Sequence, residues 1–170
     1  MALEIEPYES RADWPFLKSG PVTLFWRESL FATAKNDLTK LGYLLIEASC
    51  QSAEQLHVEV SAGLRWFDQF GYAPWTGNLN ALYDAFFGLP PELGDIAICL
   101  EHFHELVARD PAAAAGLLDV LALGSWQQLI RSRRFVVLVQ TDDARFCTEP
   151  LGAMRANWNA GEWLDTNREL

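Results

Sequence analysis

Four short apolar runs recur along the chain: Val22–Trp26, Tyr43–Ile46, Ile96–Leu100 and Phe135–Val139. The first is β-branched and aromatic, as strands are, and the others are continuously apolar, as expected of strands buried on both faces. Between them the apolar period lengthens. Leu30, Phe31, Ala34, Leu38 and Leu41 return at helical steps until Gly42 ends the run. Ser52, with Gln55 three positions on, reads as a capping box, and Leu56, Val60, Gly63, Leu64 and Phe67 form the inner face of the helix that follows. Asp110-Pro111 opens an alanine-rich helix that continues through Leu117, Leu118 and Leu121 to Trp126, Leu129 and Ile130, with a break expected at Gly124. Strand, helix and strand joined by short connections make a βαβ unit. The expectation is an α/β domain with a small, mainly parallel sheet of three to four strands and helices packed on it.

The pattern divides the chain in three. Residues 1–20, with Pro7, Pro15 and Gly20 among Tyr8, Trp14 and Phe16, read as an N-terminal extension without a regular element. Residues 21–142 are the α/β domain. Residues 143–170 are a tail whose Trp158 and Trp163 are expected to cover one side of it.

One stretch fits the alternation less simply. Ala73-Pro74-Trp75-Thr76-Gly77 is turn chemistry with an aromatic set into it. Asn78 stands where a helix cap would, and Leu79, Leu82, Tyr83 and Phe86 follow at helical spacing until Gly88 and Pro90-Pro91 stop the helix. Asn80, Asp84 and Phe87 then share another face, at steps of four and three. An aromatic loop beside a face of Asn, Tyr and Asp has the character of a gripping surface.

Charge narrows the partners. The chain has 170 residues and a formal net charge of −10, which repels phosphate backbones and anionic membranes and attracts a basic partner. Between Asn78 and Asp110 the acids Asp84, Glu92, Asp95, Glu101, Glu105 and Asp110 face a single base, Arg109. Arg131, Arg133 and Arg134 cluster instead at the end of the last helix, where cations oppose the helix dipole. Cys50, Cys99 and Cys147 are odd in number and widely spaced, with no CxxC, as for reduced thiols in a cytoplasm. The start MALEIEPYES lacks a signal-peptide pattern, and no apolar stretch is expected to approach a membrane span. A cytoplasmic location is the expectation.

Enzymatic signatures are thin. GxGxxG, GxxxxGK[ST], GxSxG and HExxH are all missing. His102-Phe103-His104 could set two imidazoles on one side of a strand, but no third ligand has helpful spacing. Asp142-Asp143 follows the last strand and reads as a solvated turn. No catalytic residue, metal or cofactor is assigned.

Trp75-Thr76-Gly77-Asn78-Leu79-Asn80-Ala81-Leu82-Tyr83-Asp84-Ala85-Phe86-Phe87-Gly88 resembles the central motif of the barstar family. These proteins are intracellular inhibitors of a bacterial ribonuclease, and the motif there is an aromatic loop, a glycine, Asn-Leu-Asp-Ala-Leu-Trp-Asp and a closing glycine. Ile96–Glu101, Asp110-Pro111 with its helix, and Phe135–Val139 are similar too, so the resemblance covers residues 43–140, closest to longer relatives with an added strand and helix in front. It implies a barstar-like fold and a non-catalytic protein that plugs the active site of a basic ribonuclease or ribonuclease-like toxin. Asp84 matches the acid that stands in for substrate phosphate, with Trp75, Gly77, Asn80, Tyr83 and Phe87 around it. A further acid from the following helix corresponds best to Asp119. This chain departs from the motif in four places: one residue fewer between Gly77 and Asn78, Asn80 for an acid, Tyr83 for tryptophan, and Leu89 at an aromatic position. An alternative is a barstar-like domain turned to regulatory or homo-oligomeric contacts.

Overall fold

The computed structural model describes residues 10–151 and 156–170, so the expectations for Pro7 and Tyr8 lie outside the described residues. Strands β1 (Val22–Phe25), β2 (Leu44–Ser49), β3 (Ile96–Glu101), β4 (Phe135–Gln140) and β5 (Asn157–Trp158) form one sheet in the order β2-β3-β4-β1-β5. Every pairing is parallel. The fifth strand comes from the tail and is too short to leave a pattern in sequence.

Among the described residues, seven α-helices accompany the sheet: α1 (Trp14–Lys18), α2 (Glu28–Lys40), α3 (Ala53–Gly63), α4 (Trp66–Phe70), α5 (Leu79–Phe87), α6 (Phe103–Arg109) and α7 (Pro111–Ile130). Their distribution follows from handedness. The chain crosses from β1 to the far edge at β2, then steps back through β3 and β4. Right-handed crossovers travelling in opposite directions place their helices on opposite faces. Phe31, Ala34 and Leu38 of α2, with Phe16 of α1, accordingly pack on Phe25, Ala97, Cys99, Val136 and Leu138. On the other face a row of side chains runs through Val22 of β1, Val137 of β4, Ile98 of β3 and Ile46 of β2, and meets α3, α5, α6 and α7. Alternate residues of each strand feed the two cores.

The structure corrects several expectations. Residues 14–18 are helical where no regular element was expected, because Pro15 sits at a helix start, where its missing N–H costs nothing. β2 is an edge strand, so Leu44 and Glu47 are exposed and only part of it is buried. The helix from Ser52 ends at Gly63, and Phe67 belongs to α4, where it is 63% exposed and not part of an inner face. Gly124 does not interrupt α7, which runs unbroken for 20 residues and is long and apolar enough to cross a membrane by length and composition. In this fold Ala114, Leu117, Leu118 and Leu121 of that helix are spent on the sheet core. The three predicted caps form: Ser52 accepts from Gln55 N–H, Asn78 from Asn80 and Ala81 N–H, and Asp110 from Ala113 N–H. The box at Ser52 is only half made, because Gln55 Nε2 donates to Glu59 (3.1 Å).

The tail is wired into the domain. The buried Glu162 carboxylate accepts the N–H groups of Trp26 (2.9 Å) and Arg27 (2.6 Å) at the head of α2. Arg168 is buried, donates to Asp165 Oδ1 (2.7 Å) and to the Glu162 carbonyl, and lies over the Trp158 ring. Trp163, expected to cover the domain, is exposed.

At the other end Asp13 is buried beneath α1. It accepts from Arg11 Nε (3.0 Å) and Nη2 (2.8 Å) and from the Tyr43 hydroxyl (2.8 Å). Burial opposes its ionisation, but the hydrogen bonds from Arg11 and Tyr43, with the charges of Arg11 and Arg134, outweigh it and hold the carboxyl below its ordinary value of 3.8. A depressed carboxyl stabilises the fold fully above that ordinary value, and the contribution is lost as pH falls through the folded-state value. Asp13→Asn should therefore cost about 1.5–3 kcal/mol at neutral pH and flatten the loss of stability in acid, as read by urea denaturation across a pH series.

Candidate partner-binding site

Helix α5 has only nine residues, fewer than a helix needs to persist alone in water. Its surroundings hold it at both ends and along one side. At its head, Asn78 Oδ1 accepts from the N–H groups of Asn80 (3.0 Å) and Ala81 (3.2 Å). The loop before it is fastened by Trp75, whose backbone N–H donates to Ser61 Oγ (2.6 Å) and whose indole N–H donates to the Asn78 carbonyl (2.8 Å). The Trp75 ring packs edge-on to His57 and against Trp66. Burial holds the His57 imidazole below its ordinary value, so the ring beneath the loop is neutral at neutral pH. Gly77 has φ +88°, and a Cβ there would sit 3.1 Å from His57 Nε2. Both the backbone conformation and the space call for glycine.

At its foot, α5 leaves carbonyls without helical partners. They are taken by side chains from the end of α7: Gln128 Nε2 donates to Phe86 O (2.7 Å), Arg131 Nη1 to Phe87 O (2.8 Å), and Arg133 Nη2 to Pro90 O (2.8 Å) just beyond. The arginines expected to offset the dipole of their own helix clamp a neighbour instead. Arg134 pairs with Asp95 at 3.0 Å. Gly88 ends α5 in right-handed backbone, so no left-handed conformation calls for glycine there; the nearest neighbour of an added Cβ would be Gln69 Oε1 at 2.2 Å, the end of a flexible side chain.

Along its side α5 lies against α7, with Leu79 on Gly116 and Phe86 on Gly124; an added Cβ at either glycine would come within 2.5 Å of the facing side chain. This close approach is why Gly124 sits mid-helix. The glycine read as a break is a seat for Phe86.

The side left over carries the candidate residues. Asn80, Asp84 and Phe87 are exposed on one face, and Phe87 is 49% exposed. Asp84 makes no hydrogen bond or ion pair among the described residues, which leaves its carboxylate available. Tyr83 is half-buried and meets Phe87 edge to face at 5.5 Å, while the Arg131 guanidinium lies 5.3 Å from the Phe87 ring centre.

Two of the expected residues stand elsewhere. Trp75 is 2% exposed, a core residue that positions the loop and not a surface anchor. Truncating it would be a folding lesion of about 3–5 kcal/mol. Asp119 is half-buried on α7 and, with Phe146, Cys147 and Glu149, lines a groove beside the 146–151 segment. Sequence reading missed the clamp by Gln128, Arg131 and Arg133, since nothing in their spacing announces a carbonyl on another helix.

The histidine pair is not arranged as a strand pair. β3 ends at Glu101, His102 takes a left-handed backbone (φ 53°), and His104 falls on α6. His104 Nδ1 accepts from the Asp142 amide (3.2 Å). Among the described residues no group of three or more His, Cys, Asp or Glu is placed to hold a metal ion. The Cys50 and Cys99 thiols are buried, and burial pushes both up to about 12, far from a reactive thiolate.

The family model described as Barstar (barnase inhibitor) matches residues 44–140. The chain belongs to the barstar family. No curated protein and no solved structure matches it. The matched span runs from β2 to the end of β4, so it includes α5 and its supports and leaves out α1, β1, α2 and β5 of this barstar-family chain.

Two substitutions test the support of α5. Gly77→Ala should cost about 1–2 kcal/mol from the left-handed backbone plus the displacement of His57. Gln128→Leu should cost about 1–3 kcal/mol by leaving the buried Phe86 carbonyl unpaired. Both are read as shifts of the urea midpoint at unchanged m-value.

Proposed function

We propose that the protein inhibits a basic ribonuclease or ribonuclease-like toxin in the cytoplasm, as an immunity protein would, with the exposed face of α5 entering the enzyme's active site. The observation that carries this reading is the Asp84 carboxylate, exposed and uncommitted on a helix fixed at its cap, its flank and its C-terminal carbonyls. A ribonuclease site gathers cationic donors to hold phosphate, and a carboxylate presented there forms charge-assisted hydrogen bonds with them. Fixing the helix beforehand reduces the ordering cost of association. The net charge of −10 favours approach of a cationic enzyme.

The roles divide accordingly. Asp84 takes the place of a substrate phosphate, Asn80 offers an amide one turn before it, and Tyr83 with Phe87 forms an aromatic rim beside the charge. Asn80 stands where the family motif has an acid, so a single α5 carboxylate bears the electrostatic contact. Gly77 and Trp75 act indirectly, by setting the position of α5. Catalysis has no part in this reading.

Titrating small basic ribonucleases with the purified protein, beginning with any encoded in the neighbouring reading frame, should give stoichiometric inhibition of at least one. Asp84→Ala should keep the urea midpoint yet weaken inhibition by at least roughly 30-fold, since removing one partner of a desolvated charge pair costs about 2–5 kcal/mol. Added salt should slow association more than it speeds dissociation. Inhibition by Asp84→Ala at wild-type potency would remove Asp84 from the contact.

A further inference from the structure

Helix α7 is apolar on nearly every side. Ala114, Leu117, Leu118 and Leu121 face the sheet core, and the Gly116–Gly124 flank carries α5. At steps of four, three and four, another side presents Asp119, Leu123, Trp126 and Ile130. Trp126 is 51% and Ile130 86% exposed, with Leu123 and the neighbouring Leu129 exposed as well. The core does not require these residues, and an exposed apolar cluster of this kind marks an interaction surface.

The charges at its ends distinguish among occupants. Asp119, half-buried at the edge of the groove beside the 146–151 segment, closes the stripe on the N-terminal side and makes no ion pair among the described residues. Arg131 closes it on the C-terminal side, exposed and held in place by Phe87 through its ring and its carbonyl. A helix lying on a membrane surface carries lysines and arginines along its polar face, whereas this stripe contains an acid, and the chain carries ten negative charges in excess. A cationic enzyme is met by Asp84, not by an apolar stripe bounded by arginine. The stripe does complement itself. Reversed end for end, its acid meets its own cation.

We propose that this face of α7 is a self-association surface through which two copies pair about a two-fold axis, their α7 helices antiparallel. An axis between Leu123 and Trp126 sets Leu123 against Trp126 of the second copy and Asp119 against Ile130, with Arg131 adjacent. Asp119 and Arg131 lie about 18 Å apart along the helix, so both ends of the pairing gain an ion pair, as an isologous contact demands. The core of the contact is Trp126 and Leu123, the apolar centre within a charged rim that interfaces favour.

Sedimentation velocity across a concentration series tests this without any ribonuclease, so its outcome is separate from that of the inhibition assay. Wild-type protein should rise from a 19.1 kDa monomer toward twice that mass between about 1 and 100 µM. Trp126→Glu should remain monomeric with an unchanged circular dichroism spectrum. Asp119→Arg and Arg131→Asp should each weaken association at least tenfold, and their combination should restore it. A wild-type monomer throughout the range overturns the proposal, as does a Trp126→Glu dimer; failure of the combined variant to recover overturns the antiparallel pairing. With a monomeric wild type, loss of ribonuclease inhibition in Trp126→Glu would assign the face to the enzyme, and wild-type binding to phosphatidylcholine vesicles would assign it to a membrane.

Discussion

The contact between α5 and α7 is the constraint on which the candidate site depends. A helix of nine residues gains too few internal hydrogen bonds to offset the cost of its nucleation, so its position must come from outside. Gly116 and Gly124 supply the closeness, by removing the side chains that would otherwise hold Leu79 and Phe86 away. Gln128 and Arg131 supply the polarity, by pairing carbonyls that a short helix would leave exposed or unsatisfied. Neither element does this alone. The glycines allow contact, and the donors set where along α7 the contact rests.

That arrangement links the sheet to the surface. α7 is fixed on the sheet by Leu117, Leu118 and Leu121, α5 is fixed on α7, and Asp84 is displayed by α5. The loop leading into α5 is held from a different direction, through Trp75 on Ser61, His57 and Trp66. Two independent attachments leave the α5 face little freedom to rearrange, which suits a rigid insert more than an adaptable one. The terminal segments serve another purpose. Residues outside the family match complete the sheet with β1 and β5 and cap α2 through Glu162.

Much of the architecture was legible in the chain because it rests on local chemistry. The four main strands showed as apolar runs; for β1, β3 and β4 the reason is that a parallel strand buried on both faces has no polar side to display. Ser52, Asn78 and Asp110 were readable as caps because capping is a contact between residues two or three apart. The turn residues around Pro74 and Gly77 and the helical stripe after Asn78 were likewise local, and so was the barstar-like motif they compose. Gly124 was misread for a related reason. Intrinsic preference assigns glycine to helix ends, and the cause that overrides it, the Phe86 ring, lies 38 positions away in sequence.

The sequence alone determined the class of fold, the position of the capped helix and the acid it displays, because periodicity, caps and turn chemistry act over a few residues. Only the tertiary structure decided which aromatic faces outward and which supports from within: Trp75 went to the core and Phe87 to the surface, although both are aromatic residues beside the same helix. It also decided that the arginines after α7 hold α5, that Asp119 lines a groove with the 146–151 segment, and that two tail residues add a strand beside β1. Each of these depends on which element lies next to which. Residue spacing carries no record of that, because the neighbours are set by strand order and crossover handedness acting over the whole chain.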